Sequence, residues 1–303
     1  MTAAISVRAL TKAFGQVIAL EEISFDIPLG ATHFLLGPNG SGKTTLIRVM
    51  SGVLRPTSGS VRVLGESPYQ HPERLSRDVG IAYEDHFLPP WASAEDYLDF
   101  AAKMRGIGED AVWDAAEVFG LTDYWEREMG TYSAGMRKRV ILAQAWLGDP
   151  HLLILDEPFS SLDQESRILL TELLEARSST GKTTFVATHL AETVTPPTHL
   201  ACLVNGRLEA GGPIESLSDR YVARTVAFEV PDPSVAVRVL LERGIEIAAA
   251  TPRSVVLRGD TAHMGSAREV LEEAGIPVKA VEESYDIWMI YRSVLTASRG
   301  EMS

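Results

Sequence analysis

The segment Gly37-Pro38-Asn39-Gly40-Ser41-Gly42-Lys43-Thr44-Thr45 constrains the fold more than any other part of the chain. It matches G-x-x-x-x-G-K-[ST], a pattern that needs an apolar strand before it and a helix after it. Phe34-Leu35-Leu36 is the apolar run, and Thr44 to Met50, stopped near Gly52, has the spacing of a helix. The glycines let the backbone curl so that successive N–H groups point inward at phosphate oxygens. The helix starting at Lys43 adds its positive end. In such a loop Lys43 reaches the β- and γ-phosphates, and the Thr44 hydroxyl binds Mg²⁺. An α/β fold of the P-loop NTPase class is therefore expected.

The rest of the chain fits around that loop. Residues 4–36 read as strands, with Ile5, Val7 and Ala9, then Ile23, Phe25 and Ile27, in alternation. Pro56 to Gly59 is a turn before the strand Val61 to Leu64. From about 92 to 148 the texture is helical, with Ala94–Arg105, Glu109–Phe119 and Met136–Trp146 as helices. Leu152-Leu153-Ile154-Leu155 is wholly apolar, as expected of a strand buried on both faces. A helix near 164–178 and the strand Thr183 to Ala187 follow. The reading is a core with an N-terminal β-subdomain and a helical insertion at 85–149, together spanning 1–222. Residues 223–303 read as β-α-β-β-α-β and a last helix from Tyr285, a small α+β ferredoxin-like module.

A phosphate loop alone does not choose among kinases, GTPases and ATPases. The apolar strand ending in Asp156-Glu157 does: Asp156 is suited to hold Mg²⁺, and Glu157 to polarise an attacking water as general base. The chain has two asparagines, Asn39 and Asn205, and neither precedes a lysine, so the N-K-x-D guanine reader is absent. The formal net charge is −13, which disfavours nucleic acid as a partner. The single cysteine, Cys202, excludes an intramolecular disulfide and sits in the apolar run Leu200 to Val204, where it reads as a buried strand residue. The N-terminus lacks a secretory apolar core, and no run of about 18 apolar residues occurs. For work at a membrane, another chain would have to cross the bilayer.

Taken in order, these motifs resemble the nucleotide-binding subunit of an ABC transporter over residues 5 to about 215, with an antiparallel N-terminal β-subdomain and a RecA-like core. Tyr132-Ser133-Ala134-Gly135-Met136 resembles the family signature LSGGQ, Ser160-Ser161-Leu162-Asp163 its D-loop, and His189 its switch histidine. Phe14 falls where the family stacks an aromatic ring on adenine. The resemblance implies two subunits paired head to tail, as a homodimer or with a second ATPase subunit, sandwiching ATP. Ser133 and the Gly135 N–H would then donate to the γ-phosphate across the interface. His189 would contact that phosphate and hold Glu157, and Asp163 would couple the two sites. A separate transmembrane permease is implied, with the chain peripheral on the cytoplasmic face of the cell membrane.

Two departures stand out. The signature carries Tyr132, Ala134 and Met136 in place of leucine, glycine and glutamine, a form similar to that of bacterial drug- and lipid-exporter ATPases. The Q-loop position carries Glu84 instead of glutamine, and Glu84 is expected to keep the metal-binding role with altered coupling. The 274–288 segment is similar to the tail of exporter ATPases with a small appended module. An exporter ATPase is therefore the leading reading. A soluble ABC ATPase acting on a ribosome, DNA or cofactor assembly is the alternative. A catalytically dead regulatory subunit is disfavoured by Lys43, Asp156, Glu157 and His189.

Overall fold

The computed structural model describes residues 3–189, 197–221, 224–251, 253–259, 261–278 and 280–300. The chain divides into two units, residues 1–211 and 212–303. The boundary expected at 222–223 falls on residues outside those described.

The first unit opens with two long antiparallel strands, β1 (Ala3–Phe14) and β2 (Val17–Pro28). The short β3 (Thr32–Leu36) is buried throughout and leads into the helix α1 (Lys43–Met50). After α1 the chain returns as β4 (Ser58–Val63), which joins the other edge of β1, giving a three-stranded antiparallel sheet of order β2-β1-β4. Ile5, Val7, Leu10, Ile23, Ile27, Val61 and Val63 are buried. The alternation expected to run on through Ala9 breaks there: a register shift between Val7 and Leu10, with Ala9 at φ +42°, leaves Ala9 exposed and turns Leu10 inward.

A short helix α2 (Pro72–Leu75) precedes β5 (Val79–Ala82). Between β5 and the next strand lie the helices α3 (Ala94–Arg105), α4 (Asp110–Val118) and α5 (Ala134–Trp146). Ser93 and Asp96 form a capping box that fixes the start of α3. The α5 helix starts two residues before the expected Met136, because the Ser133 side chain caps it by accepting from Met136 N–H. Then follow β6 (Leu152–Asp156), α6 (Gln164–Ser179), β7 (Thr183–Thr188), β8 (His199–Val204) and β9 (Arg207–Pro213). The second sheet has order β5-β6-β7-β3-β8-β9, and β5, β6, β7, β3 and β8 run parallel. The carboxyl ends of β3, β6 and β7 are thus brought side by side, which is where an open α/β sheet gathers ligands. Cys202 is fully buried in β8, as its apolar neighbours predict, and burial pushes its thiol up to about 12.

The second unit contains α7 (Ile214–Arg220), β10 (Arg224–Glu229), α8 (Pro233–Glu242), β11 (Ile247–Ala250), β12 (Ser254–Arg258), α9 (Thr261–Glu273), β13 (Ala280–Tyr285) and α10 (Ile287–Gly300). Its sheet is antiparallel with order β11-β12-β10-β13. Val226, Phe228, Leu240, Val255, Leu257 and Leu271 form its own core. The last helix starts later than the apolar pattern predicts. Tyr285 pairs with Arg224 in the sheet, and Asp286 caps α10 through Met289 N–H, so the helix cannot begin at Tyr285.

Candidate active site

The phosphate loop turns between β3 and α1. Gly42 has φ +109°, and a Cβ there would lie 2.7 Å from the Ala19 carbonyl oxygen, so the turn into α1 accepts no side chain. Ser41 is buried behind the loop, with its carbonyl accepting from Gly206 N–H. Pro38 is half-buried, Asn39 and Gly40 face solvent, and the first N–H groups of α1 have no partner within the helix. A cavity of about 260 Å³ is lined by Asn39, Gly40, Gly42, Lys43, Thr44 and Thr45, together with Glu84 and Glu157. The buried Lys43 amine donates to the Gly37 carbonyl at 2.8 Å and lies 3.5 Å from Glu157 Oε1. Gly37 itself ends the strand side of the loop.

Asp156 and Glu157 are adjacent in sequence but differently held. Asp156 is fully buried at the end of β6, and its Oδ2 accepts from the Thr44 hydroxyl at 2.8 Å. Its Oδ1 is buried with no hydrogen-bond partner. Burial pushes this carboxyl up to about 6, against the Thr44 hydroxyl, with Glu157 and Glu84 adding to the rise. Glu157, with φ +46°, turns back toward β7. Its Oε2 accepts from the Thr188 hydroxyl at 2.9 Å, and its Oε1 accepts from His189 N–H at 2.9 Å and faces His189 Nδ1 at the same distance. The Glu157 contacts join the ends of parallel neighbours, β6 and β7.

The structure therefore brings Lys43, Thr44, Glu84, Asp156, Glu157 and His189 to one place. It does not bring the other sequence-derived candidates there: Phe14, Ser133, Gly135 and Asp163 do not line the cavity. Phe14 is 48% exposed at the end of β1 with the Lys12 amine over its ring, so it is not core. Ser133 caps α5, and Gly135 lies in the first turn of that helix. Asp163 caps α6 through Ser166 N–H and accepts from Arg139 on α5. Thr188 and Arg139 escaped the sequence reading. Thr188 could have been found as the hydroxyl preceding the strand-end histidine; Arg139 had no local signal.

Chemically, the cavity offers backbone N–H groups and an ammonium to phosphate, and a hydroxyl and carboxylates to a hard cation. The orphaned Asp156 Oδ1 beside the Thr44 hydroxyl fits a divalent ion, whose charge would keep that carboxylate ionised. Among the described residues no group of three or more His, Cys, Asp or Glu could hold a metal ion.

The family profile described as ABC transporter matches residues 20–160. The bacitracin transport ATP-binding protein BcrA of Bacillus licheniformis is 31% identical over 253 residues, covering 82% of this chain and 81% of the relative. The chain belongs to the ABC transporter ATP-binding family. As a member it binds ATP and is an ATPase. Other ABC relatives differ in direction. The Nod factor export ATP-binding protein I of Bradyrhizobium sp. (strain SNU001) is 34% identical, with 74% of each chain covered. The spermidine/putrescine import ATP-binding protein PotA 1 of Pseudomonas aeruginosa is 32% identical over 80% of this chain and 69% of its own. The dimeric ATP-binding cassette MJ0796, solved in a post-hydrolysis state with ADP and Pi, shares the ABC fold at TM-score 0.64 and 20% identity, covering 69% of this chain and 98% of that one.

Proposed function

We propose that this ABC subunit hydrolyses ATP with Glu157 as general base, and that it drives export through a separate transmembrane permease. The observation that carries the catalytic reading is the clamp on Glu157: Thr188 and His189 fix its carboxylate at the wall of the phosphate-loop cavity, 3.5 Å from Lys43. A base held this way needs little reorganisation to accept a proton from water. Lys43 and the N–H groups from Gly37 to Thr45 bind the β- and γ-phosphates. His189 engages Glu157 through Nδ1, and its Nε2 is the ring nitrogen suited to the γ-phosphate. Thr44, Asp156 and Glu84 are the residues that would hold Mg²⁺. That ion supplies neutralisation of the charge on the phosphate oxygens.

The site is completed by a second subunit, a copy of this chain or a second ATPase subunit. Ser133 and Gly135 do not line the chain's own phosphate-loop cavity, which supports their donating to ATP held by the partner. Phe14, exposed at the end of β1, stacks on adenine, and Asp163 couples the two sites. The dimeric MJ0796 cassette is a precedent for such a pair.

No described helix is long and apolar enough to cross a membrane, so a permease would carry the membrane span. Phe87 and Trp91, ring to ring at 6.4 Å, and Phe100, Met104 and Trp113 are exposed on the helical segment between β5 and β6. An apolar surface of this kind supports permease docking there, with the chain peripheral on the cytoplasmic face of the cell membrane. The export direction is supported by the Nod factor relative and by the appended module, whose strand order β11-β12-β10-β13 suits a ferredoxin-like domain.

Glu157→Gln tests the catalytic reading. It should lower steady-state ATP turnover by about 10²-fold or more while ATP still binds with near wild-type affinity. Turnover within a few-fold of wild type would refute the assignment. Recovery of a membrane protein with the tagged subunit in mild detergent, and substrate movement out of cells expressing both, test the transport reading.

A further inference from the structure

Lys138 lies on α5, one turn after Gly135, and is only 5% exposed. Its Nζ is buried without a hydrogen-bond partner. A buried ammonium with no partner is costly, and proteins retain one where a counter-charge is available.

The amine belongs to a second cavity of about 350 Å³, lined by Glu84, His86, Arg137, Lys138, Ser160 and Ser161 among others. Arg137 donates to the Tyr132 carbonyl, and His86 Nε2 meets the Tyr97 hydroxyl, whereas Lys138 Nζ has no such bond. Glu84 is the only carboxylate among the described residues lining this cavity. It is also the only residue that lines this cavity and the phosphate-loop cavity alike. One carboxylate thus lines both the buried lysine's cavity and the phosphate-loop cavity.

We propose that Lys138 is the internal counter-charge of Glu84, a positioning residue that acts on the Glu84 carboxylate across the cavity both side chains line, without a direct ion pair. The proposal rests on the reading that Glu84 serves the metal side of that cavity. It answers a problem posed by the sequence. A carboxylate at position 84 adds negative charge beside Asp156, Glu157 and the phosphates, and a fixed cation behind it offsets that charge. The electrostatics agree in direction: burial lowers the Lys138 amine, and Glu84, then Asp156 and Glu157, hold it up.

A double-mutant cycle on the full chain tests this, with Lys138→Met, Glu84→Gln, the double variant and Lys138→Arg. In the Glu84 background, Lys138→Met should raise KM for Mg·ATP about tenfold, with kcat changed less than about threefold. In the Glu84→Gln background the same substitution should change KM by less than about threefold. Lys138→Arg should keep KM near wild type. Thermal unfolding is followed for the same proteins, so a Lys138→Met chain that fails to fold but is restored by Glu84→Gln also supports the pairing. An unchanged KM in Lys138→Met, an equal effect in both backgrounds, or a misfolded variant that Glu84→Gln does not restore would overturn it. The reading of Glu84 fails separately, if Glu84→Gln alone leaves the Mg²⁺ dependence of turnover unaltered.

Discussion

Asp156 and Glu157 are neighbours whose surroundings separate their chemistry. Glu157 has donors on both oxygens, while Asp156 has one donor and one buried bare oxygen. In the metal-free protein the Asp156 carboxyl titrates near 6, against 3.8 in the unfolded chain. The folded state therefore binds the extra proton between these values, and stability falls as pH rises through that window. Above pH 6 the full penalty, about 3 kcal/mol, is present. Asp156→Asn should remove it. Without Mg²⁺ the variant should melt higher than wild type at pH 7.5 and no higher at pH 3.5, and Mg·ATP should stabilise it far less than wild type. Equal melting at both pH values would contradict this. These carboxylates were legible in the sequence because they end an apolar run beside a phosphate loop. Thr188 and Lys138 were not, since what they do depends on β7 lying beside β6 and on α5 backing the Glu84 turn.

At the scale of elements, two contacts fix the site's geometry. The first is β5 against α5. A Cβ on Gly80 would lie 1.8 Å from the Ala145 carbonyl oxygen, so β5 reaches α5 only because residue 80 has no side chain. Gly80→Ala should cost about 2–3 kcal/mol and displace the turn that carries Glu84. Denaturant unfolding would measure the loss, and a cost below about 0.5 kcal/mol would refute the close approach. The second is β3, which feeds the phosphate loop. Its His33 is buried between Phe25 and Phe185, with ring centroids 5.9 and 5.6 Å away, and neither ring nitrogen has a partner. Burial pushes this imidazole down to about 3, so below pH 6.5 the unfolded chain takes a proton that the folded chain refuses. Stability is lost as pH falls from 6.5 toward 3, by about 2 kcal/mol at pH 5. His33→Phe should widen its stability advantage by that amount between pH 7.5 and pH 5, as read by thermal melts; a pH-independent difference would contradict it. The apolar β3 and β6 were readable directly, and so was the alternation of β1 as far as Val7, where an irregularity in the pairing breaks the period. A missing Cβ at Gly80 leaves no period to detect, and a histidine in a strand reads as polar until its neighbours are known.

For the whole molecule, the sequence motifs divide into two sets that the fold keeps apart. Lys43 and Glu157 line one cavity, Asp156 and His189 are tied to its wall through Thr44 and Glu157, and Ser133 and Gly135 open α5 outside it. The C-terminal unit has its own sheet and core, and its order of elements was more legible than the start of its last helix, which a capping aspartate sets. The central claim is that ATP is enclosed only when a second subunit contributes its signature. The most direct measurement is the mass in solution of the Glu157→Gln chain by light scattering, with and without Mg·ATP. The monomer is 33.0 kDa. The mass should double with Mg·ATP, and adding Gly135→Asp should hold the chain at monomer mass although ATP still binds. A monomer at saturating Mg·ATP, or a dimer that Gly135→Asp leaves intact, would contradict the account.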